Sequence, residues 1–224
     1  MDENIPWIRD NLTYIQYLPE YTRAGIPTIL HIIWVGDKPA PESLSGYIAK
    51  WSELMPTWRI RLWGNSDLTE EHFTKEILER IHISKSGSQK ADIMKYSIIE
   101  KYGGFYVDAD IKPNKSLEPL LVMDHELFLW HDAWVSWEYI ACGFFASVPH
   151  HPVLQKACAI LLEVELNTSD LHMKTGPYLL GRAVAETPRT EPWKKYGLLG
   201  TWFFDQYEYS LHWKLGSHMY AGMW

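Results

Sequence analysis

Two aspartates near the middle of the chain, Asp108 and Asp110, are the residues whose types and spacing most directly suggest chemistry. They lie in the run FYVDADI (105–111), whose β-branched and aromatic residues predict a strand. Because residues two apart in an extended strand point to the same side, we expect both carboxylates to face one cation. Oxygen ligands favour Mg²⁺ or Mn²⁺ over zinc, although an Asp-x-Asp tripeptide taken alone is more often a surface turn.

A predicted helix leads directly into these aspartates. Apolar residues recur at spacings of three and four over residues 89–102, and Gly103-Gly104 follows as a helix C-cap. Asp92 and Lys95 lie three apart on this helix and outside its apolar stripe, so they can face a common ligand. The alternative is a solvent-exposed ion pair worth a few tenths of a kcal/mol.

The surrounding segments alternate between strand and helix patterns. Further strands are predicted at 28–35, 59–63, 126–130 and 139–146, and further helices at 42–54, 70–80 and 153–166. This alternation favours an α/β sheet with helices on both faces, whose ligands bind at the carboxyl ends of the strands. We expect a single domain over residues 1–224, with residues 1–25 as an N-terminal extension and an irregular segment over about 171–224 that covers the site.

Composition narrows the possible partners. The chain has 224 residues, a net charge of −7 and 12 tryptophans, so it lacks the basic surface of a nucleic-acid-binding protein and has aromatic side chains to stack on bases or sugars. Its two cysteines, Cys142 and Cys158, are expected to be small core residues in a reducing compartment. Since no stretch approaches 18 uncharged apolar residues, we expect no transmembrane segment and a soluble, cytoplasmic protein that can associate peripherally with membranes.

The run ADIMKYSIIEKYGGFYVDAD (91–110) resembles the DxD block of glycosyltransferase family 32, which includes yeast α-1,6-mannosyltransferases and bacterial capsule enzymes. The glucosylating domains of large clostridial toxins look similar. Residues 26–36 and 56–63 resemble the first two strands of the family. Later blocks follow in the family's order, namely GFFAS (143–147), TGP (175–177) and His212 with Ser217. The resemblance covers roughly residues 26 to 218.

The resemblance implies a GT-A fold, which is a Rossmann-like, nucleotide-sugar-binding sheet flanked by helices. It also implies a metal-dependent, retaining transferase in polysaccharide biosynthesis, which moves a sugar from a UDP- or GDP-sugar to a glycan, glycolipid or protein hydroxyl. The cofactor would be Mn²⁺ or Mg²⁺.

Carried over residue by residue, the resemblance makes Asp110 a metal ligand, places Asp108 at the ribose and the metal, and places Asp92 at the donor sugar. Trp34 would stack on the base, with Ile33 beside it on the first strand. Lys95 stands where the family usually has arginine, and its ammonium is only a point charge.

A C-terminal histidine would complete the metal or diphosphate site in the family. His212 is the candidate, and His218 is the alternative. Lys95 or His212 would help the cation to stabilise the leaving diphosphate.

No protein nucleophile is obvious, so a front-face displacement is expected. If a covalent intermediate forms instead, Asp132 and Glu138 are available carboxylates.

Two other functions stay open, which are a metal-dependent nucleotide-sugar phosphohydrolase and a carbohydrate-binding protein without catalysis. Residues 130–139 and 202–224 are dense in tryptophan and are the expected acceptor loops.

Overall fold

The computed structural model describes residues 25–123, 125–131, 140–166, 174–188, 196–199 and 216–218. Within these residues a six-stranded sheet has the strand order β2-β1-β3-β6-β5-β7, and β4 pairs with β8 in a separate two-stranded ribbon. The strands are β1 (Ile29–Ile33), β2 (Arg59–Trp63), β3 (Gly104–Val107), β4 (Ile111–Pro113), β5 (Leu127–His131), β6 (Ile140–Ser147), β7 (Tyr196–Leu199) and β8 (Gly216–His218).

The large sheet is mixed. Strand β1 is parallel to both β2 and β3, and β5 is parallel to β7, whereas β6 runs antiparallel to β3 and β5. The helices are α1 (Glu42–Leu54), α2 (Lys75–Ile83), α3 (Gly87–Tyr102), α4 (Glu118–Leu121), α5 (Pro152–Glu163) and α6 (Pro177–Glu186), with a 3₁₀ turn at Asn65–Asp67.

Helices cover both faces of the sheet, as the sequence predicts. Alternating side chains of β3 illustrate this arrangement, because Phe105 and Val107 pack into one core, together with α1 and α4. Tyr106, between them, packs into the opposite core with α2, α3, α5 and α6. None of the helices in the described ranges is both long and apolar enough to span a membrane.

The segment around the two aspartates differs from the prediction. The strand predicted at 105–111 ends at Val107, and residues 108–110 form a turn in which the Ile111 N–H donates to the Asp108 carbonyl over 3.0 Å. The Asp108 N–H still donates to the Gly143 carbonyl of β6 (2.8 Å), after which the chain leaves the sheet to form β4. The strand predicted through residue 111 is therefore wrong in its last part, and the convergence of the two carboxylates on one cation stays a prediction.

Two further elements differ from the sequence prediction. Helix α2 begins at Lys75 rather than near residue 70, because Thr74 is its N-cap and accepts a hydrogen bond from the Ile77 N–H. The 3₁₀ turn before this helix is capped separately, since the Asp67 carboxylate accepts from the Gly64 N–H. In the segment predicted to be irregular, α6 is a regular helix that begins at Pro177.

The junction between α3 and β3 depends on two glycines. Gly103 and Gly104 have φ values of +63° and +96°, which are strained for other residues. A Cβ on Gly103 would lie 2.6 Å from Pro149 Cδ, and one on Gly104 would lie 2.7 Å from the Ile29 carbonyl oxygen. The predicted helix stop is confirmed, and it delivers the chain directly into the strand that precedes Asp108.

Candidate functional site

The predicted site residues gather at one edge of the sheet. Trp34 follows β1 and Asp108 follows β3, and these two parallel strands are neighbours. Asp92 and Lys95 lie on α3, which packs on this part of the sheet. The carboxyl ends of parallel strands are where open α/β sheets place their ligands, so the location fits a ligand site.

Asp92 and Lys95 form a buried ion pair. The Lys95 Nζ donates to Asp92 Oδ1 over 2.5 Å, and the side chains are 2% and 19% exposed for lysine and aspartate respectively. Lys95 also donates to Cys142 Sγ on β6 (3.1 Å), and the Thr175 hydroxyl donates to Asp92 Oδ2 (3.0 Å). The alternative of a solvent-exposed pair is therefore wrong.

The electrostatics of this cluster favour a charged Lys95. Burial opposes the charge on Lys95, but Asp92 and other negative neighbours outweigh it and raise the lysine pKa. Burial raises the pKa of Asp92, whereas the Lys95 ammonium and the Thr175 hydroxyl act in the opposite direction. Burial raises the pKa of Cys142 to about 12, so its thiol stays neutral and Asp92 is the counter-ion that touches Lys95.

Asp108 is held by the strand that precedes it. The Tyr106 hydroxyl donates to Asp108 Oδ1 over 2.6 Å, and burial raises the pKa of Tyr106 well above its usual range, so the hydroxyl remains a donor. Asp108 lies near Gly143, where an added Cβ would sit 3.0 Å from Asp108 Oδ2. The bare α-carbon at position 143 therefore makes room for this carboxylate.

Asp110 is buried at the end of the turn. The next residue, Ile111, pairs with His218 in the β4–β8 ribbon, and Lys112 pairs with Ser217. The structure thus brings the backbone of the alternative histidine close to the Asp-x-Asp turn. His212, the candidate metal ligand, lies outside the described residues, as do Asp132 and Glu138.

A divalent cation fits the chemistry of this turn. Among the residues that the structure describes, no group of three or more His, Cys, Asp or Glu side chains could hold a metal ion. Asp108 and Asp110 nevertheless supply hard oxygen ligands, and Mg²⁺ is commonly held by one or two carboxylates while substrate phosphates and water complete its shell. The donor set suits an ion that binds together with a phosphorylated ligand.

The two residues predicted at the base differ in their access. Trp34 is half-buried, and its Nε1–H donates to the Lys38 carbonyl (2.9 Å), so the indole is held at the surface rather than inside the core. The Ile33 side chain is fully buried. Only the backbone of Ile33 could therefore make the predicted contact with a nucleotide.

Sequence reasoning missed three members of this site. Tyr106 lies two residues before Asp108. Because side chains two apart on a strand point to the same side, its contact with the aspartate could have been predicted from the sequence. Cys142 lies 47 residues from Lys95, and Thr175 lies 83 residues from Asp92. No local sequence pattern predicts contacts between residues so far apart.

Comparisons with known proteins agree with this geometry. Residues 41–128 match the glycosyltransferase sugar-binding region containing the DXD motif. An uncharacterized glycosyltransferase, L373, of Acanthamoeba polyphaga mimivirus is 26% identical over 178 residues, which cover 78% of this chain and 70% of that protein. Inositol phosphoceramide mannosyltransferase 3 of Schizosaccharomyces pombe is 32% identical over 100 residues, which cover 44% of this chain and 28% of that protein.

Two solved structures share the fold. The PaToxG glycosyltransferase aligns with a TM-score of 0.59 at 15% identity, covering 81% of this chain and 76% of its own. A glycosyltransferase involved in the glycosylation of the major capsid of PBCV-1 aligns with a TM-score of 0.52 at 12% identity, covering 87% and 95%. These similarities confirm the predicted GT-A fold. In sequence, over residues 41–128, and in fold, the chain is thus similar to glycosyltransferases whose sugar-binding region contains the DXD motif.

Proposed function

We propose that the chain is a metal-dependent, retaining glycosyltransferase that uses a UDP- or GDP-sugar. One observation supports the proposal, which is that Asp92 lies beside the turn that carries Asp108 and Asp110, at the carboxyl edge of β1 and β3. Asp108 influences the pKa values of both Asp92 and Lys95, so the turn and α3 share one electrostatic environment. A site with this charge suits a hydroxyl-rich sugar attached to a diphosphate that arrives with its own cation.

Asp92 is the proposed contact of the donor sugar. Its carboxylate oxygens accept hydrogen bonds, and the side chain is 19% exposed, so sugar hydroxyls can donate to it. The yeast relative is named as a mannosyltransferase, and its match covers only 28% of its own length. We therefore propose a neutral hexose as the transferred sugar and choose GDP-mannose as the first donor to test.

Asp108 and Asp110 would hold the divalent cation, Mn²⁺ or Mg²⁺, which when bound supplies positive charge for the leaving diphosphate. Tyr106 keeps Asp108 in one orientation, because its hydroxyl occupies one carboxylate oxygen. Trp34 offers an indole face for the nucleobase at the end of β1. The chain's own groups thus bind and orient the donor.

We propose that the acceptor hydroxyl attacks from the side that the phosphate leaves, so that the departing phosphate oxygen takes its proton and the anomeric configuration is retained. This route needs no dedicated protein base. The acceptor would be a glycan, a glycolipid or a protein, and the name of the yeast relative supports including inositol phosphoceramide in the acceptor panel. Cys142 and Cys158 are both free thiols, which supports a cytoplasmic location, with peripheral membrane association where the acceptor is a lipid.

The proposal is tested by product analysis. The protein is incubated with GDP-mannose or UDP-glucose, Mn²⁺ and the acceptor panel, and the products are analysed by mass spectrometry and NMR. We expect a glycoside with the anomeric configuration of the donor, with Asp110→Ala inactive and the exposed α2 variant Glu79→Ala fully active. An inverted product would refute retention. Metal-dependent hydrolysis of the donor without transfer to any acceptor would indicate a phosphohydrolase, and sugar binding without nucleotide would indicate a carbohydrate-binding protein.

A further inference from the structure

Four side chains from three parts of the fold make a hydrogen-bonded cluster beside the Asp-x-Asp turn. Asp92 and Lys95 come from α3, Cys142 from β6, and Thr175 from the segment just before α6. Lys95 donates to Asp92 Oδ1 and to Cys142 Sγ, while Thr175 donates to Asp92 Oδ2. Both oxygens of the Asp92 carboxylate thus have a protein partner.

Solvent reaches these four side chains very unequally. Lys95, Cys142 and Thr175 are buried, whereas the Asp92 side chain keeps 19% of its surface exposed. Each carboxylate oxygen has about two acceptor sites, so each retains one after its bond to the protein. A ligand that meets this cluster therefore meets the Asp92 carboxylate, and the other three side chains act through it.

The position of Thr175 is itself fixed from α3. The Tyr96 hydroxyl donates to the Gly176 carbonyl over 3.1 Å, one residue after Thr175 and at the N-cap of α6. Burial raises the pKa of Tyr96 well above its usual range, so this hydroxyl stays a donor. Two hydrogen bonds therefore join the start of α6 to the helix that carries Asp92.

We propose that Thr175 is a positioning residue of the donor-sugar site, which orients the Asp92 carboxylate for sugar hydroxyls, and that Cys142 plays the matching part for Lys95. The proposal rests on the proposed function. A carboxylate held at both oxygens accepts from a sugar without first losing its rotational freedom, and such preorganisation strengthens binding. Lys95 then acts through Asp92, because its ammonium is buried and already bonded to two side chains.

The experiment compares Thr175→Val, which keeps the shape and removes the hydroxyl, with Thr175→Ser, which keeps the hydroxyl. Mn²⁺-GDP and Mn²⁺-GDP-mannose are titrated by calorimetry, with UDP and UDP-glucose as the second probe pair. We expect the valine variant to bind the nucleotide-sugar about tenfold more weakly, since a hydrogen bond to a charged group is lost, while nucleotide alone binds as before. The Thr175→Ser variant should bind both the nucleotide-sugar and the free nucleotide with wild-type affinity.

Thr187→Val is the matched control. Thr187 is also a buried threonine beside α6, and its hydroxyl donates to the Ala183 carbonyl (2.5 Å). Its loss is expected to lower stability and leave both affinities unchanged. Cys142→Ala and Cys142→Ser form a second pair of variants in case the valine variant does not fold, with serine expected to retain the affinity for the nucleotide-sugar and alanine expected to lose it.

Crystal structures of the variants separate this proposal from the proposed function. If wild type binds no nucleotide-sugar, the proposed function fails, and the orientation of Asp92 in Thr175→Val still decides whether Thr175 holds it. We expect the carboxylate to turn away from its wild-type orientation in the valine variant and to keep it in the serine variant. An unchanged Asp92, or an unchanged affinity difference between sugar-bearing and free nucleotide, would overturn the proposal.

Discussion

Replacing Lys95 with methionine is expected to destabilise the protein strongly. The change keeps most of the apolar stem but removes the ammonium that lies 2.5 Å from Asp92 Oδ1. The lysine is 2% exposed and the aspartate 19%, so water cannot fully replace the lost partner. Removal of one member of a buried pair typically costs about 3–5 kcal/mol, and we expect Lys95→Met to lower the free energy of unfolding by roughly the lower half of that range.

The chain supplies a control of the same type. Lys50 and Glu53 on α1 are also three residues apart and 2.8 Å from each other, but their side chains are 45% and 69% exposed. Exposed pairs contribute about 0.2–1 kcal/mol, so Lys50→Met should change stability by less than 1 kcal/mol. Urea unfolding followed by tryptophan fluorescence measures both variants under identical conditions.

A double-mutant cycle then isolates the interaction. Asp92→Asn in the Lys95→Met background removes the unpaired charge, so the double variant should be more stable than Lys95→Met alone. The coupling energy between Lys95 and Asp92 is expected to exceed about 1 kcal/mol, against a few tenths for Lys50 and Glu53. Equal costs for Lys95→Met and Lys50→Met, or a coupling energy near zero, would show that the buried pair does not exist as described.

Three further predictions concern the nucleobase, the pH response and the turn. Trp34→Ala is expected to weaken binding of free UDP or GDP by about 1–3 kcal/mol in calorimetry, and unchanged affinity in a folded variant would exclude base stacking. Burial lowers the pKa values of His31 and His151 to about 4, so the unfolded chain binds more protons between pH 6.5 and 4. Stability should be fully present above pH 6.5 and fall as the pH drops to 4, by at most about 3 kcal/mol per histidine, and a flat profile in urea unfolding would contradict this. Gly143→Ala places a Cβ 3.0 Å from Asp108 Oδ2 and should weaken Mn²⁺-dependent nucleotide binding, so wild-type affinity in that variant would exclude the expected crowding.

Local patterns predicted most of the regular elements. The helix predicted at 42–54 and the strand predicted at 59–63 match α1 and β2 in both bounds. Each carries its own boundary signals, because Pro56 follows soon after the helix and alternation runs through RIRLW. The prediction failed at the start of the helix predicted at 70–80, which begins at Lys75 because Thr74 is its N-cap.

The site was predictable only in its local parts. Asp92 and Lys95 share a helix, so their spacing indicated a common environment, but burial depends on β6 and on the start of α6. The Asp-x-Asp segment resembled a strand because its flanking residues are apolar. The chain turns there because Ile111 pairs with His218, a partner more than 100 residues away that no local pattern reveals.

The central claim is that the carboxylates of the Asp-x-Asp turn bind a nucleotide-sugar together with a divalent cation. Calorimetric titration of GDP- and UDP-sugars, with and without Mn²⁺, tests it most directly on wild type, Asp110→Ala and the Glu79→Ala control. We expect at least one nucleotide-sugar to bind wild type and the control more tightly with Mn²⁺, and we expect Asp110→Ala to lose that enhancement. Binding that is independent of the metal, or an Asp110→Ala variant that binds as tightly as wild type, would contradict the claim.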